Sequence, residues 1–238
     1  MVFSFGDSIT EGKPGISYLR YLDRKKFKNF GLGGDTLKGL KNRLFKFLAS
    51  DFEFHKSDQL LIEIGANDLL LPYLNNLSSQ WRKTVKNLIK RGSIPSSNLT
   101  DFRKEYVDLM KKLKNRKIDF KVVSIVCIGE SIYCNLNQKV LEYNSAIKEI
   151  CDVFNIEYIN FHSWQMHILK QIENNSETLL GTNPMDTLFD TFLTTYMPFS
   201  EYISKKRGFS LSVDGVHLNK ISAKKLSEMV KTAFIKTE

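Results

Sequence analysis

The chain is poor in cysteine and has no long apolar run. Its three cysteines, Cys127, Cys134 and Cys151, are an odd number without the spacing of metal ligands, so no disulfide framework is expected. No stretch approaches the length of a transmembrane helix. No secretion signal precedes the first apolar segment. We therefore expect a cytoplasmic protein without a transmembrane segment.

Histidine is also scarce, with four residues in the whole chain. His162 and His167 are five positions apart, an offset that does not place them on one face of a helix. Neither of them, nor His55, has a strand-end partner that would suggest a role. We expect no metal site and no cofactor.

Acidic residues are outnumbered, with 35 Lys and Arg against 26 Asp and Glu and a net charge of +9. Such a charge is compatible with nucleic acid or an anionic membrane surface as a partner. The basic residues are spread through most helical segments, and the tightest clusters are the triplets 24–26 and 205–207. Short charge runs of this kind are typical of solvated surfaces. We expect no nucleic-acid partner, and the oligomeric state stays open.

Short apolar segments alternate with helical patterns along the whole chain, without a repeat or a linker. This alternation predicts a single α/β domain over residues 1–238, with a doubly wound parallel sheet of about five strands. The predicted strands are Val2–Phe5, Phe27–Phe30, Gln59–Ile64, Phe120–Cys127 and Ile156–Phe161. The predicted helix faces are Leu37, Leu40, Leu44 and Leu48; Phe102, Tyr106, Leu109 and Leu113, with Thr100 as N-cap; and Val140, Tyr143, Ile147 and Ile150.

The least regular segment is Glu173–Ser210, which is rich in aromatic residues between polar and turn-forming ones. Two interpretations apply, an aromatic lid over a substrate pocket or a packed helical excursion. Because such aromatic residues are more often core, the second interpretation is favoured. The residues concerned are Leu188, Phe189, Phe192, Tyr196, Phe199 and Tyr202.

Four short motifs carry the chemistry. Ser8, in Gly6-Asp7-Ser8-Ile9-Thr10, follows the first predicted strand, where a turn can expose its oxygen at the sheet rim. Asp214 and His217 are three residues apart, so the carboxylate can hold one ring nitrogen while the other accepts a proton from a hydroxyl. Taken alone, a serine in this position is more often a helix cap, and an Asp-x-x-His sequence can be an incidental pair in a turn.

Two further motifs supply hydrogen-bond donors. Gly34 can offer a backbone N–H without a blocking side chain, although Gly33 remains the alternative. Asn67 follows the third predicted strand and can donate from its side-chain amide, or simply form a turn. A dinucleotide-binding turn is incomplete here, because Thr36 stands where the third glycine is required.

These four motifs together resemble those of the SGNH (GDSL) hydrolases. They are Gly6-Asp7-Ser8; Asn29, Gly31, Gly34 and Thr36; Gly65-Ala66-Asn67-Asp68; and Asp214-Gly215-Val216-His217. The resemblance implies a flavodoxin-like three-layer α/β/α fold. It also implies Ser8 as nucleophile, His217 as general base and Asp214 as its orienting partner. Ser8, Gly34 and Asn67 would form the oxyanion hole. One departure is Ser222, where the family often has glycine; we expect Ser222 to cap a helix starting at Ala223.

The predicted function is that of a serine hydrolase that cleaves carboxylic esters through an acyl-enzyme on Ser8. We expect short, acetyl-type acyl groups on a small-molecule ester. Alternatives within the resembled family are a lysophospholipase and a thioesterase. The alternative from another class is a non-catalytic binding protein that uses its basic surface.

Overall fold

Five short parallel strands form one sheet in this computed structural model, which describes residues 1–50, 54–172, 179–181 and 183–235. The strand order is β2-β1-β3-β4-β5, and each adjacent pair is parallel. β2 lies on one side of β1, whereas β3, β4 and β5 follow on the other side, so the strand order reverses at β1. Ligands of such sheets bind at the carboxyl ends of the strands beside this reversal. The strands are β1 Val2–Gly6, β2 Phe27–Gly31, β3 Gln59–Glu63, β4 Asp119–Val123 and β5 Tyr158–Ile159.

Helices cover both faces of the sheet, which confirms the predicted three-layer α/β/α architecture. In the described part of the chain, α2, α5 and α6 pack together on one face, while α7 and α10 pack with a 3₁₀ turn at Tyr18–Tyr21 on the other. The helices are α1 Ser8–Glu11, α2 Leu37–Leu48, α3 Ala66–Leu77, α4 Ser79–Lys90, α5 Leu99–Asn115, α6 Asn135–Val153, α7 Phe161–Gln171, α8 Pro184–Thr191, α9 Ser200–Lys206 and α10 Lys220–Ile235.

The apolar helix faces predicted from sequence form the core. Phe102, Tyr106, Leu109 and Leu113 on α5 have no exposed surface. The leucine face of α2 is equally buried at its first three positions, whereas Leu48 is only partly buried at the helix end. Burial of apolar surface stabilises this arrangement by about 25 cal/mol per Å².

Three predicted strands are shorter than expected: β3 ends at Glu63, β5 spans only Tyr158–Ile159, and β4 also ends early. β4 ends at Val123, although the apolar run continues to Cys127. The Ser124 N–H still donates to the Ile159 carbonyl of β5 at 3.1 Å. After it, the backbone bonds to side chains: Asn144 accepts from the Ile125 N–H at 2.8 Å, and Gln165 accepts from the Cys127 N–H at 2.9 Å. These amide side chains satisfy buried backbone groups that a longer strand would otherwise pair.

Two predicted helix caps were wrong. Helix α5 starts at Leu99, and Asn98 caps it by accepting from the Asp101 N–H at 2.9 Å. Helix α10 starts at Lys220 rather than at Ala223, and Asn219 accepts from the Ser222 N–H at 3.1 Å. The Ser222 hydroxyl is buried without a partner in the described residues. In both cases an asparagine precedes the predicted hydroxyl residue and takes the capping role.

The aromatic segment is helical, but its apolar residues are not core. Within the predicted range, positions 173–178 and 182 lie outside the described residues; the rest forms α8, a π turn at Phe192–Tyr196 and α9. The expectation that its aromatic residues pack inward was wrong. All the residues singled out from the sequence are exposed, namely Leu188, Phe189, Phe192, Tyr196, Phe199 and Tyr202. Among the described helices, none is both long and apolar enough to cross a bilayer.

Candidate active site

Ser8 lies beside the strand reversal, two residues after the end of β1 and at the first position of α1. Asp7 caps this short helix, because its Oδ1 accepts a hydrogen bond from the Ile9 N–H at 2.9 Å. Gly6 allows β3 to approach closely, since a Cβ there would lie 2.7 Å from the Glu63 carbonyl oxygen. The turn thus places the Ser8 side chain at the carboxyl edge of the sheet.

Three side chains predicted from distant parts of the sequence meet at this edge. The Ser8 Oγ lies 2.9 Å from the His217 Nε2, and the His217 Nδ1 lies 2.7 Å from the Asp214 Oδ2. Ser8, His217 and Asp214 are 8%, 5% and 3% exposed. One continuous hydrogen-bonded relay therefore connects a hydroxyl, an imidazole and a carboxylate, shielded from bulk water.

The turn that carries Asp214 and His217 is fixed by its own hydrogen bonds. The second oxygen of Asp214, Oδ1, accepts from the Val216 N–H at 3.1 Å and from the His217 N–H at 2.9 Å. The Val213 N–H donates to the His217 carbonyl oxygen at 2.8 Å. Both carboxylate oxygens are thus engaged, which holds the orientation of the Asp214 side chain toward the ring.

Two groups that support this turn carry no local sequence signal. The buried Glu130 carboxylate accepts from the N–H groups of residues 210–212, at 2.7–2.9 Å, and from the Ser212 hydroxyl at 2.6 Å. Arg207 donates to the Val213 carbonyl at 3.0 Å and forms two hydrogen bonds of 2.7 Å with Asp190. These contacts join α8 and the loop that contains Glu130 to the loop that precedes Asp214.

The buried pair of Asp214 and His217 favours its charged forms. Burial alone would raise the pKa of Asp214, but the neighbouring His217 and two backbone N–H groups lower it below its ordinary value. Burial alone would lower the pKa of His217. The charge and hydrogen bond of the Asp214 carboxylate outweigh this effect of burial, so the pKa of His217 is raised. The imidazolium is therefore stabilised where a proton from Ser8 would arrive.

The two glycines after β2 differ in their hydrogen bonding. The Gly33 N–H donates to the Glu11 Oε2 at 2.7 Å. The Gly34 N–H has no acceptor within the described part of the chain. Gly34 has a φ of +76°, and a Cβ there would lie 2.9 Å from Leu88 Cδ2. Both features require glycine at this position, and they leave its amide available at the edge of the sheet.

Asn67 reaches the same region from the start of α3. Its side chain is 5% exposed, and its Nδ2 lies 3.3 Å from the Asp7 Oδ2, beside the serine turn. Gly65, which precedes α3, has a φ of +124°. The next motif residue, Asp68, holds two neighbouring backbone segments: its carboxylate accepts from the Leu37 N–H at 2.9 Å and from the Ser96 N–H at 2.8 Å.

A buried carboxyl lies beneath the serine turn. The Glu63 Oε2 accepts from the Thr10 hydroxyl at 3.0 Å, while its Oε1 has no partner in the described residues. Burial is the main cause that raises the pKa of Glu63 to about 7. The Asp7 carboxyl, which faces it, also has a raised pKa because of its burial and the Glu63 charge.

The remaining histidines lie away from this relay. His162 is buried, and desolvation lowers its pKa to about 4. His167 lies beside Gln171 on α7. Among the described residues no group of His, Cys, Asp and Glu could hold a metal ion.

A serine, a histidine and an aspartate joined by hydrogen bonds at the edge of a parallel sheet define the class of serine hydrolases. The family model described as GDSL-like Lipase/Acylhydrolase matches residues 2–230. The chain therefore belongs to this family, as its motifs predicted, and it is a serine esterase. No curated protein matches the sequence.

Solved structures share the fold at low identity. An acetyl xylan esterase, AlAXEase, has 20% identity and a TM-score of 0.62, covering 98% of this chain and 99% of its own. A G-D-S-L family lipolytic protein from Veillonella parvula has 17% identity and a TM-score of 0.62, covering 98% and 97%. The acetylxylan esterase Axe2 from Geobacillus stearothermophilus has 15% identity and a TM-score of 0.59, covering 97% and 92%.

Proposed function

We propose that this protein hydrolyses carboxylic esters through an acyl-enzyme on Ser8, with His217 as general base and Asp214 as the residue that orients it. The observation that carries the proposal is the relay of 2.9 Å and 2.7 Å that links the three side chains. In such a relay the histidine must present an unprotonated nitrogen to the hydroxyl. The Asp214 carboxylate holds the proton on Nδ1, which leaves Nε2 as the acceptor.

The reaction has two halves. The Ser8 Oγ attacks the ester carbonyl carbon while His217 Nε2 takes the hydroxyl proton; the bond to the alcohol then breaks, and the imidazolium returns that proton to the leaving oxygen. A water molecule next attacks the acyl-enzyme and gives a proton to Nε2. The bond to Oγ breaks, Ser8 recovers its proton and the acid leaves. Proton transfer by a positioned base contributes about 10²–10⁴ in rate.

The oxyanion that forms in each half would be bound by the Ser8 N–H, the Gly34 N–H and the Asn67 Nδ2. Ser8 stands at the first position of a helix, where N–H groups lack intrahelical acceptors. Gly34 is favoured over Gly33 because the Gly33 N–H already donates to Glu11. Each such donor is worth about 10²–10³ in rate.

For the substrate we propose short acyl groups of the acetyl type on a small alcohol. Two of the structurally similar proteins are named acetylxylan esterases, and a lysophospholipase or thioesterase is the alternative within the family. The cytoplasmic location expected from sequence stays a prediction. The dependence of kcat/KM on the length of the acyl chain separates a short-chain esterase from a lysophospholipase.

The test is hydrolysis of p-nitrophenyl esters of increasing acyl length by wild type and Ser8→Ala. Ser145→Ala, which changes an exposed serine on α6, is the matched control. We expect the highest kcat/KM with acetate, no detectable turnover in Ser8→Ala and full activity in Ser145→Ala. A preference for long acyl chains would refute the acetyl assignment. Equal activity in Ser8→Ala, or no labelling of wild type by a fluorophosphonate, would refute the acyl-enzyme.

A further inference from the structure

Helix α8 and the π turn after it form one helical segment, 184–196, whose apolar side chains face outward. Its apolar residues recur every three or four positions, so they lie in one stripe along the segment. Leu193 is only partly exposed, whereas the five apolar side chains of the stripe are more than half exposed. They are Met185 at 62%, Leu188 at 63%, Phe189 at 63%, Phe192 at 51% and Tyr196 at 65%.

The opposite, polar side of the same segment faces the protein. The buried Asp190 forms its two hydrogen bonds with Arg207. The Thr194 hydroxyl accepts from the Gly15 N–H at 2.9 Å, and the Thr195 hydroxyl donates to the Gly15 carbonyl at 3.0 Å. The usual arrangement of a surface helix is therefore reversed, and specific polar contacts fix that reversal.

The exposed stripe continues into α9. Met197, Phe199 and Tyr202 are 40%, 46% and 64% exposed. We call these three residues and the stripe of 184–196 the apolar surface. Monomeric proteins rarely expose a contiguous apolar patch larger than a few hundred Å², and larger patches mark interaction sites. A partner that removes this surface from water is thus expected.

Basic side chains flank the apolar surface. Lys205 and Lys206 follow Tyr202 by three and four positions on α9, so they lie on its face of the helix, and both are exposed. Lys13 borders Tyr196 on the other flank. Of the nearby exposed acids, Glu201 accepts from the Lys220 N–H at 3.0 Å, and Asp186 lies on α8. The whole chain carries a net charge of +9.

The apolar surface borders the active site. Gly15, which holds Thr194 and Thr195, is so close to the histidine that a Cβ there would lie 3.2 Å from His217 Cβ. On the other side, Arg207 connects Asp190 to the Val213 carbonyl, next to Asp214. The segment that carries the apolar surface is therefore tied, through its protein-facing side, to the loops that hold His217 and Asp214.

We propose that the apolar surface docks this protein on an anionic lipid bilayer, with its aromatic, Leu and Met side chains among the headgroups and acyl ends. Tyrosine suits that position because its ring is apolar and its hydroxyl is polar. The lysine pair on α9 would face lipid phosphates, which strengthens binding of an amphipathic segment. A second copy fits less well, since a two-fold interface would bring the lysine pairs of both copies to the same patch.

The test is co-sedimentation of the full chain with vesicles of phosphatidylcholine alone and with about one quarter phosphatidylserine. Phe189→Ser/Phe192→Ser removes two rings of the apolar surface, and Leu141→Ser/Val153→Ser, which changes residues 53% and 81% exposed on α6, is the matched control. We expect wild type and control to bind the anionic vesicles equally and the Phe variant to bind at least about tenfold more weakly. Circular dichroism confirms that each variant is folded.

The charge contribution has its own pair of variants. Lys205→Glu/Lys206→Glu should weaken binding to anionic vesicles about tenfold or more, whereas Lys104→Glu/Lys111→Glu on α5 should not. Ser8→Ala should bind like wild type, so docking is measured independently of ester hydrolysis. Three results would overturn the proposal: no binding of wild type to anionic vesicles, equal losses in test and control variants, or a dimer in sedimentation that only the Phe variant dissociates.

Discussion

Replacement of Asp214 by Asn tests the relay most sharply, because it removes one charge while it preserves the shape of the side chain. The amide oxygen can still accept from the N–H groups of Val216 and His217, as the Asp214 Oδ1 does now. The group that changes is the one 2.7 Å from the His217 Nδ1. We expect kcat/KM to fall by on the order of 10³.

That magnitude comes from the charge pair. Two unit charges about 4 Å apart attract by about 4 kcal/mol at an effective dielectric constant of about 20. The attraction stabilises the imidazolium that forms as Ser8 attacks, and each 1.36 kcal/mol changes a rate about tenfold. The amide can also present an N–H to Nδ1, which places the ring proton on Nε2 and prevents it from accepting the proton of Ser8.

The same substitution should move the pH profile in a defined direction. In wild type the Asp214 carboxylate raises the pKa of His217 above 6.5, against the effect of burial. Since only the neutral ring accepts a proton, activity should increase as the pH rises through that elevated pKa. Without the carboxylate, burial lowers the pKa of His217. The acid limb of the variant should therefore lie at lower pH.

The assay is kcat/KM for p-nitrophenyl acetate between about pH 5 and 9, with thermal unfolding recorded for each protein. Asp186→Asn removes an acidic group from the exposed face of α8, near but outside the relay, and serves as the control. It should leave both the plateau and the acid limb unchanged. An Asp214→Asn variant with wild-type kcat/KM, or with its acid limb unmoved, would refute the proposed roles.

Three further substitutions probe the groups around Ser8. Asn67→Ala should lower kcat by about 10²–10³ with little change in KM; steady-state kinetics showing the reverse would remove Asn67 from the oxyanion hole. Gly34→Ala should lower kcat by about 10², because its φ of +76° and Leu88 both oppose a Cβ, whereas Gly92→Ala, at φ +106° in open space, should change only stability. Burial raises the pKa of Glu63 to about 7, so stability should fall from about pH 4.5 to 7. Glu63→Gln should make that fall smaller in urea titrations, and an unchanged pH dependence would contradict this expectation.

The sequence predicts the side chains of the candidate site because each follows a recognisable local pattern. Parallel strands end at one edge of the sheet, so Ser8 and Asn67 had to lie near each other once their strands were recognised. No local pattern indicates that Glu130 binds the backbone of residues 210–212, about 80 positions away. Buried carboxylates of this kind are recognised only when the chain brings distant N–H groups to them.

The exposed apolar surface shows a second limit of sequence patterns. Helical spacing determines which residues share a face, and it assigns Phe189 and Phe192 to one face as firmly as Phe102 and Tyr106. It does not determine which face packs inward. On α5 the apolar face is buried, and the ion pairs of this helix involve other residues, Arg103, Glu105 and Asp108. In segment 184–196 the ion pair between buried Asp190 and exposed Arg207, together with two threonines bonded to Gly15, fixes the opposite orientation. Turning the helix over would break the two Asp190–Arg207 hydrogen bonds and both threonine contacts with Gly15. The apolar face is therefore held outward by the same contacts that tie the segment to the active-site loops.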